Sequence, residues 1–98
     1  MRLSFHVRVQ TEVNEAVSWY EEQKEGLGDD FFDKLSATLE QVSLTPESCP
    51  FWLKSRKIRR AKLKRFPFDV LFEVKADRVK IVCVRHEKRH PSFGLGRK

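Results

Sequence analysis

Residues 68–84 read FDVLFEVKADRVKIVCV, and this stretch decides the fold. From 68 to 74, apolar side chains occupy every second position, which is typical of a strand with one buried face. Residues 75–78 follow as a polar turn. The run 79–84 is apolar on both faces, which is typical of a strand inside a sheet. The stretch therefore predicts two adjacent strands in the middle of a mostly antiparallel sheet.

Two further strands and two helices are predicted upstream. Residues 2–10 and 56–64 alternate between apolar and polar side chains, as a half-buried strand does. Between them, apolar residues three and four apart predict one helix with Thr11 as its N-cap and a second that opens at Asp29. The short glycine-containing break predicts antiparallel helices, and 46–52 is expected to be irregular. The order β-α-α-β-β-β predicts an α+β fold with a helical hairpin packed on the sheet.

Length and composition predict one globular domain over residues 1–98, with a basic tail from residue 91. The chain is 40% hydrophobic and 35% charged, which excludes wholesale disorder. It has no apolar run long enough to cross a bilayer and no secretory signal pattern. Its two cysteines, Cys49 and Cys83, match neither a metal-ligand spacing nor a disulfide framework. We therefore expect a reduced, cytoplasmic protein without a cofactor.

Charge is segregated along the chain, whose formal net charge is +6. Residues 12–40 hold nine acids and two lysines, whereas residues 54–65 hold eight bases and no acid. Residues 85–98 add five bases and one acid. Such a basic concentration is typical of a protein that binds a polyanion, most often nucleic acid, or an acidic protein partner. The alternative is a solvated face that balances the acidic segment.

The side chains that could carry chemistry lie mainly on the basic segments. The histidines and cysteines fit no zinc pattern, and the sequence has neither a serine-histidine-aspartate signature nor a glycine-rich phosphate loop. A basic sheet face with interleaved aromatic residues could bind phosphates and stack bases, or transfer phosphoryl groups without a metal. Composition alone leaves binding and cleavage open. The candidates are Arg59, Arg60, Lys62, Lys64, Arg65, Phe66, Arg85, His86, Lys88, Arg89, His90 and Phe93.

Four stretches resemble the RelE/ParE superfamily of toxins from bacterial type II toxin–antitoxin systems, and most closely its ParE-like, plasmid-stabilisation branch. They are AVSWYEEQ at 16–23, GLG at 26–28 with Phe32, LKRFPF at 63–68 running into FEV at 72–74, and VRHEKRHP at 84–91. The resemblance implies a small α+β toxin that inhibits growth and is neutralised by a cognate antitoxin protein. RelE-like members cut mRNA in the ribosomal A site, whereas characterised ParE members poison DNA gyrase.

For the RNA-cutting branch, the resemblance implies two catalytic cations on the strand before the hairpin, which are Arg60 and Lys62. It implies a third basic residue near the end of the last strand, which is Arg89 or Lys88. His86 ends an apolar strand amid bases and is the candidate for proton transfer. The bases expected to bind the RNA substrate are Arg59, Lys64, Arg65, Lys88 and His90.

One position departs from that branch. Its middle-strand arginine falls on Asp69, and an acid there is expected to repel the scissile phosphate. Three hypotheses therefore stay open: a ribosome-dependent mRNA endonuclease that needs no metal, a non-catalytic inhibitor of DNA gyrase, and an inactive toxin fold. The dense basic cluster favours the endonuclease.

Overall fold

The computed structural model describes residues 1–97 and contains two α-helices and a five-stranded sheet. Lys98, the last residue of the predicted basic tail, lies outside the described residues. The helices are α1 (Val9–Gln23) and α2 (Leu27–Leu44), and the strands are β1 (Leu3–Phe5), β2 (Phe51–Leu53), β3 (Ile58–Lys62), β4 (Phe68–Val74) and β5 (Val79–His86). Within residues 1–97, no helix is long and apolar enough to cross a membrane.

The strands lie in the order β1-β5-β4-β3-β2. Neighbouring strands are antiparallel except β1 and β5, which are parallel. The α+β class, the element order β-α-α-β-β-β and the mostly antiparallel sheet are therefore confirmed. β2 is an additional short strand, because part of the stretch predicted to be irregular pairs with the edge of β3.

The helical hairpin covers one face of the sheet. Its buried side chains come from both helices and pack on the alternate positions of β4 and β5 that were predicted to be apolar. The largest of them are Tyr20 and Phe31 from the helices and Phe72 from the sheet. Tyr20 and Phe31 stack with ring centroids 5.3 Å apart, and Phe66 and Phe68 close the same aromatic cluster.

The two helices approach each other closely at Gly28. A Cβ on this residue would lie 2.7 Å from the carbonyl oxygen of Val17, so a side chain does not fit without a shift. The carboxylate of Glu21 accepts hydrogen bonds from the backbone amides of Gly26 at 2.9 Å and Gly28 at 3.0 Å. A side chain of α1 thereby satisfies the amides at the start of α2, which fixes the hairpin.

A second, smaller core covers the other side of the sheet, called the outer face below. Leu71 and Cys83 are buried there and contact Trp52, Phe93 and Leu95. The C-terminal segment that was predicted as a basic tail therefore packs back on the sheet through Phe93 and Leu95. Burial raises the pKa of the Cys83 thiol to about 12, so this thiol is neutral at physiological pH.

β5 contains a bulge that changes which side chains face the helices. Phe72 pairs with Ile81, but its neighbour Leu71 pairs with Cys83, so Val82 is an extra residue in β5. Val82 and Cys83 consequently both belong to the outer core. Every position of β5 after the bulge lies on the opposite face from the one that strict alternation predicts.

The N-terminal predictions were wrong in detail. Residues 2–10 form a strand only at Leu3–Phe5, and α1 begins at Val9 rather than after a Thr11 cap. Val9 continues the buried stripe of Val13 and Ala16 at helical spacing, whereas Val7 is 84% exposed. Apolar residues at 3, 5, 7 and 9 match a strand, but burial of Val9 on the helical stripe decides the boundary.

The other boundaries moved by a few residues. α2 begins at Leu27, directly after Gly26, rather than at Asp29. Gly26 has a φ of 86°, a left-handed conformation that glycine adopts without steric cost, and the chain therefore turns there. β3 is shorter than the predicted strand 56–64, and β5 extends past residue 84 to His86.

Candidate functional site

Asp69 lies at the centre of a charged cluster on the outer face. It is fully buried and accepts two hydrogen bonds from Arg85, Nε to Oδ1 at 2.8 Å and Nη2 to Oδ2 at 3.1 Å. Arg60 Nη1 lies 3.8 Å from the same carboxylate. The guanidinium groups of Arg60 and Arg85 lie 4.7 Å and 4.4 Å from the centre of the Trp52 ring. These contacts neutralise Asp69 and cover it.

The repulsion of a phosphate by Asp69 stays a prediction, but the structure shows that this carboxylate is buried and paired rather than free. Its charge is compensated by the bidentate contact with Arg85, a strong arrangement for a buried carboxylate. The same carboxylate also engages Arg60. The guanidinium of Arg60, which was expected to hold a phosphate, therefore has a negative partner within the protein.

Lys62 lies on the same outer face, opposite Asp69 in the β3–β4 register. Its Nζ is 3.9 Å from Oε1 of Glu87, and both side chains are about half exposed. An exposed ion pair of this kind is weak. Both candidate catalytic cations of β3 thus have a carboxylate neighbour within the protein.

His86 lies on the other side of the sheet. It pairs with Phe68, which packs against the helix-facing core, and the two rings meet edge to face at 5.2 Å. Its Nδ1 accepts a hydrogen bond from the backbone amide of Lys88 at 3.0 Å. The neutral ring therefore carries its proton on Nε2, which is a donor. The bulge at Val82 causes this placement, because strict alternation would put His86 on the outer face with Arg60.

The structure brings together three of the residues predicted to be catalytic or substrate-binding. His86, Lys88 and Arg89 line one end of a cavity, and we call this set the basic rim. Arg60 and Lys62 do not line that cavity, so the four predicted catalytic residues are divided between two faces.

The remaining predicted substrate-binding residues do not join this set. Arg59 faces the helix side, where its Nη1 donates to the carbonyl oxygens of Glu47 and Cys49. Arg65 Nη1 lies 4.0 Å from a carboxylate oxygen of Asp30, at the limit of an ion pair. Lys64 is exposed, and His90 Nδ1 forms a hydrogen bond with Ser92 Oγ at 2.7 Å.

The cavity has a volume of about 590 Å³ and lies between α1 and the end of β5. Ala16, Tyr20 and Phe68 are among its apolar lining residues, and Trp19 contributes an indole ring that is 57% exposed. The basic rim lines one part of it, and Glu12 and Glu15 line another. The full lining is Glu12, Glu15, Ala16, Trp19, Tyr20, Pro67, Phe68, Val84, Arg85, His86, Lys88, Arg89 and Phe93. A concave apolar site with a few polar groups is the usual form of a binding site.

No protein-family model and no curated protein matches the sequence. Among solved structures, a chain of the chromosomal ParDE TA system from P. aeruginosa is similar to this one. The TM-score is 0.65 at 17% sequence identity, and the match covers 88% of this chain and 95% of that chain. The chain has the fold of that ParDE chain. The resemblance noted in the sequence is thereby confirmed for the fold.

One feature of this fold was missed by sequence reasoning. Beyond the end of β1, backbone amide and carbonyl groups at the free edge of β5 form hydrogen bonds with side chains instead of with another strand. Glu12 Oε1 accepts from the Val84 amide at 3.1 Å, and Arg97 Nη1 donates to the Val82 carbonyl at 3.1 Å. Arg97 Nη2 and Glu12 Oε2 are joined at 2.6 Å, which raises the pKa of Arg97. The sequence carries no local signal for a pair separated by 85 positions.

Proposed function

We propose that this chain is the toxin of a toxin–antitoxin pair and that it inhibits bacterial growth by binding a protein target rather than by cutting mRNA. The toxin assignment is supported by the fold, which is similar to a chain of a ParDE TA system. The mechanism is carried by one observation: the predicted catalytic set is divided between two faces of the sheet.

Metal-independent RNA cleavage needs a proton carrier and cations within hydrogen-bond reach of one phosphate. Arg60 and Lys62 point to the outer face, and His86 points to the helix side. These side chains leave the sheet on opposite sides, and a carboxylate already lies near each of the two cations. This arrangement does not favour a nuclease that uses the four residues together.

Binding of a protein is supported by the cavity and by Trp19. A half-exposed tryptophan at the edge of an apolar cavity is typical of residues that dominate the energy of protein interfaces. We propose that the cavity and its basic rim contact the target, and that a cognate antitoxin neutralises the protein by covering this surface. DNA gyrase is the target that the resemblance to ParE members implies.

RNA cleavage is the second candidate because His86, Lys88 and Arg89 do meet at one rim. That set could hold a phosphate and donate a proton, with Arg60 and Lys62 contacting RNA elsewhere. This version predicts loss of cleavage when Arg89 is replaced.

The experiment is induction of the chain alone in a bacterial host, with growth, mRNA 5′ ends and gyrase-dependent DNA breaks measured together. We expect growth arrest with intact transcripts. Trp19→Ser should relieve the arrest, whereas Lys62→Ala, an exposed position away from the cavity, should not. Circular dichroism of each purified variant shows that the comparison is between folded proteins.

Each alternative gives a distinct result. New mRNA 5′ ends that disappear in Lys62→Ala or Arg89→Ala overturn the binding mechanism and restore the nuclease. DNA breaks with intact mRNA identify gyrase as the target. Normal growth with a folded, expressed chain overturns the toxin assignment itself and leaves the inactive fold.

A further inference from the structure

Phe32 is an exposed aromatic side chain in an acidic patch. It lies on α2 and is 50% exposed. Asp29, three residues earlier, shares its face of the helix, and Asp33 follows it directly. Neither Asp29 nor Asp33 forms an ion pair with another residue of the described chain, 1–97. A surface that is both apolar and basic would complement this ring and its unpaired carboxylate neighbours.

The cavity between α1 and β5 combines an apolar lining with the basic rim, and Glu12 and Glu15 line its α1 side. Its volume of about 590 Å³ is within the range of sites that take drug-sized ligands, so it accommodates a phenyl ring. Lys88 and Arg89 of the basic rim form no ion pair with an acid among the residues that the structure describes. His86 adds an Nε2 donor, because its Nδ1 is already occupied.

We propose that free copies of this chain associate through these two surfaces, with Phe32 of one copy in the cavity of the next. Asp29 and Asp33 would then lie against Lys88 and Arg89. The charges at the rim support a second copy as the occupant, because Lys88 and Arg89 are opposite in charge to Asp29 and Asp33. Glu12, which also lines the cavity, is already paired with Arg97. Charge complementarity of this kind steers association and fixes its register.

The contact is heterologous, because the ring and the cavity are different surfaces of the chain. Each copy can therefore offer its ring to one neighbour and its cavity to another. The rim charges are exposed, so the association weakens as salt screens them. Because the cavity is filled in the associated form, self-association would compete with any other partner for it. This inference goes beyond the proposed function and holds whichever target the chain has.

The test is sedimentation velocity of the purified chain over a wide concentration range, at low and high salt. We expect association that increases with concentration and is reduced by salt. Phe32→Ser should give a monomer under conditions in which the wild type associates. Leu44→Ser is the matched control, because Leu44 lies on the same helix and is 71% exposed, and it should behave as the wild type.

A charge exchange tests the register directly. Asp33→Lys and Arg89→Glu should each weaken self-association, because each puts like charges at the contact. An equimolar mixture of the two variants should associate again, since the altered ring surface then meets the altered rim. A wild type that stays monomeric at all concentrations overturns the proposal. So does association that Phe32→Ser leaves unchanged, because the copies would then meet elsewhere.

Discussion

Replacing Asp69 by alanine tests whether the buried ion pair on the outer face is a main source of stability. The change removes both hydrogen bonds that Arg85 makes to this carboxylate. Arg85 is only 3% exposed, so its guanidinium would remain buried without a counter-ion. Removing one partner of such a pair costs about 3–5 kcal/mol.

This cost is a large part of the stability of a small domain, which is about 5–15 kcal/mol. For a chain of this length, it corresponds to a fall in Tm of roughly 12 °C or more. Glu87→Ala is the matched control, because it removes the carboxylate of the exposed pair with Lys62. That change should cost about 0–1 kcal/mol.

The assay is urea denaturation followed by circular dichroism, with the free energy of unfolding extrapolated to water. A double variant, Asp69→Leu with Arg85→Met, should recover most of the loss, because no buried charge then remains unpaired. Equal small costs for Asp69→Ala and Glu87→Ala would refute the reasoning, since Asp69 would then be solvated. Failure of the double variant to recover stability would show that packing, not charge, dominates.

Three further predictions, one of them with a matched control, have defined outcomes. Gly28→Ala should lower the free energy of unfolding by about 1–3 kcal/mol in urea denaturation, because the new Cβ meets the Val17 carbonyl oxygen at 2.7 Å. Gly26→Asn should cost less, because the space there is open and asparagine tolerates positive φ; equal losses would argue against the close helix contact. Because burial raises the pKa of Cys83, the neutral thiol contributes stability that is fully present below pH 9.0, the ordinary pKa, and is lost as the pH rises toward about 12. In denaturation curves measured at a series of pH values across 9, Cys83→Ala should make the free energy of unfolding fall less steeply with pH. Glu12→Ala should release the C-terminal segment and expose the Val84 amide of β5. We expect faster hydrogen exchange at that amide and faster proteolysis at the C-terminus. Unchanged exchange would mean that water replaces the carboxylate.

The central hairpin could be predicted from sequence because its signal is local. Alternation over residues 68–74 gives the bounds of β4, and the apolar run from residue 79 gives the start of β5. The predicted boundary between β1 and α1 was wrong because it also depended on a local signal. Apolar residues at alternate positions up to Val9 satisfy a strand, and only burial on the helical stripe shows that Val9 belongs to α1.

The candidate site could not be assembled from sequence because its geometry depends on one unpaired residue. Without the bulge, the hairpin register would place Asp69 opposite Val84 rather than Arg85. Nothing in the composition of the run at 79–84 marks Val82 as the extra residue, since Ile81, Cys83 and Val84 beside it are apolar as well. The bases of the site could be listed from sequence, but the burial of Arg85 and the placement of His86 on the helix side follow from the bulge.

The bulge also affects how this chain is compared with others of its fold. At 17% identity, few side chains are shared with the P. aeruginosa chain, so most residues can be matched to it only by their position in the fold. A relative whose last strand lacks the extra residue would present the opposite alternation from that point onward. A gap-free alignment would then equate an inward side chain of one protein with an outward side chain of the other. Residues beyond Val82 should therefore be compared between relatives by the face of the sheet on which they lie, with the alternation of faces counted anew from the bulge.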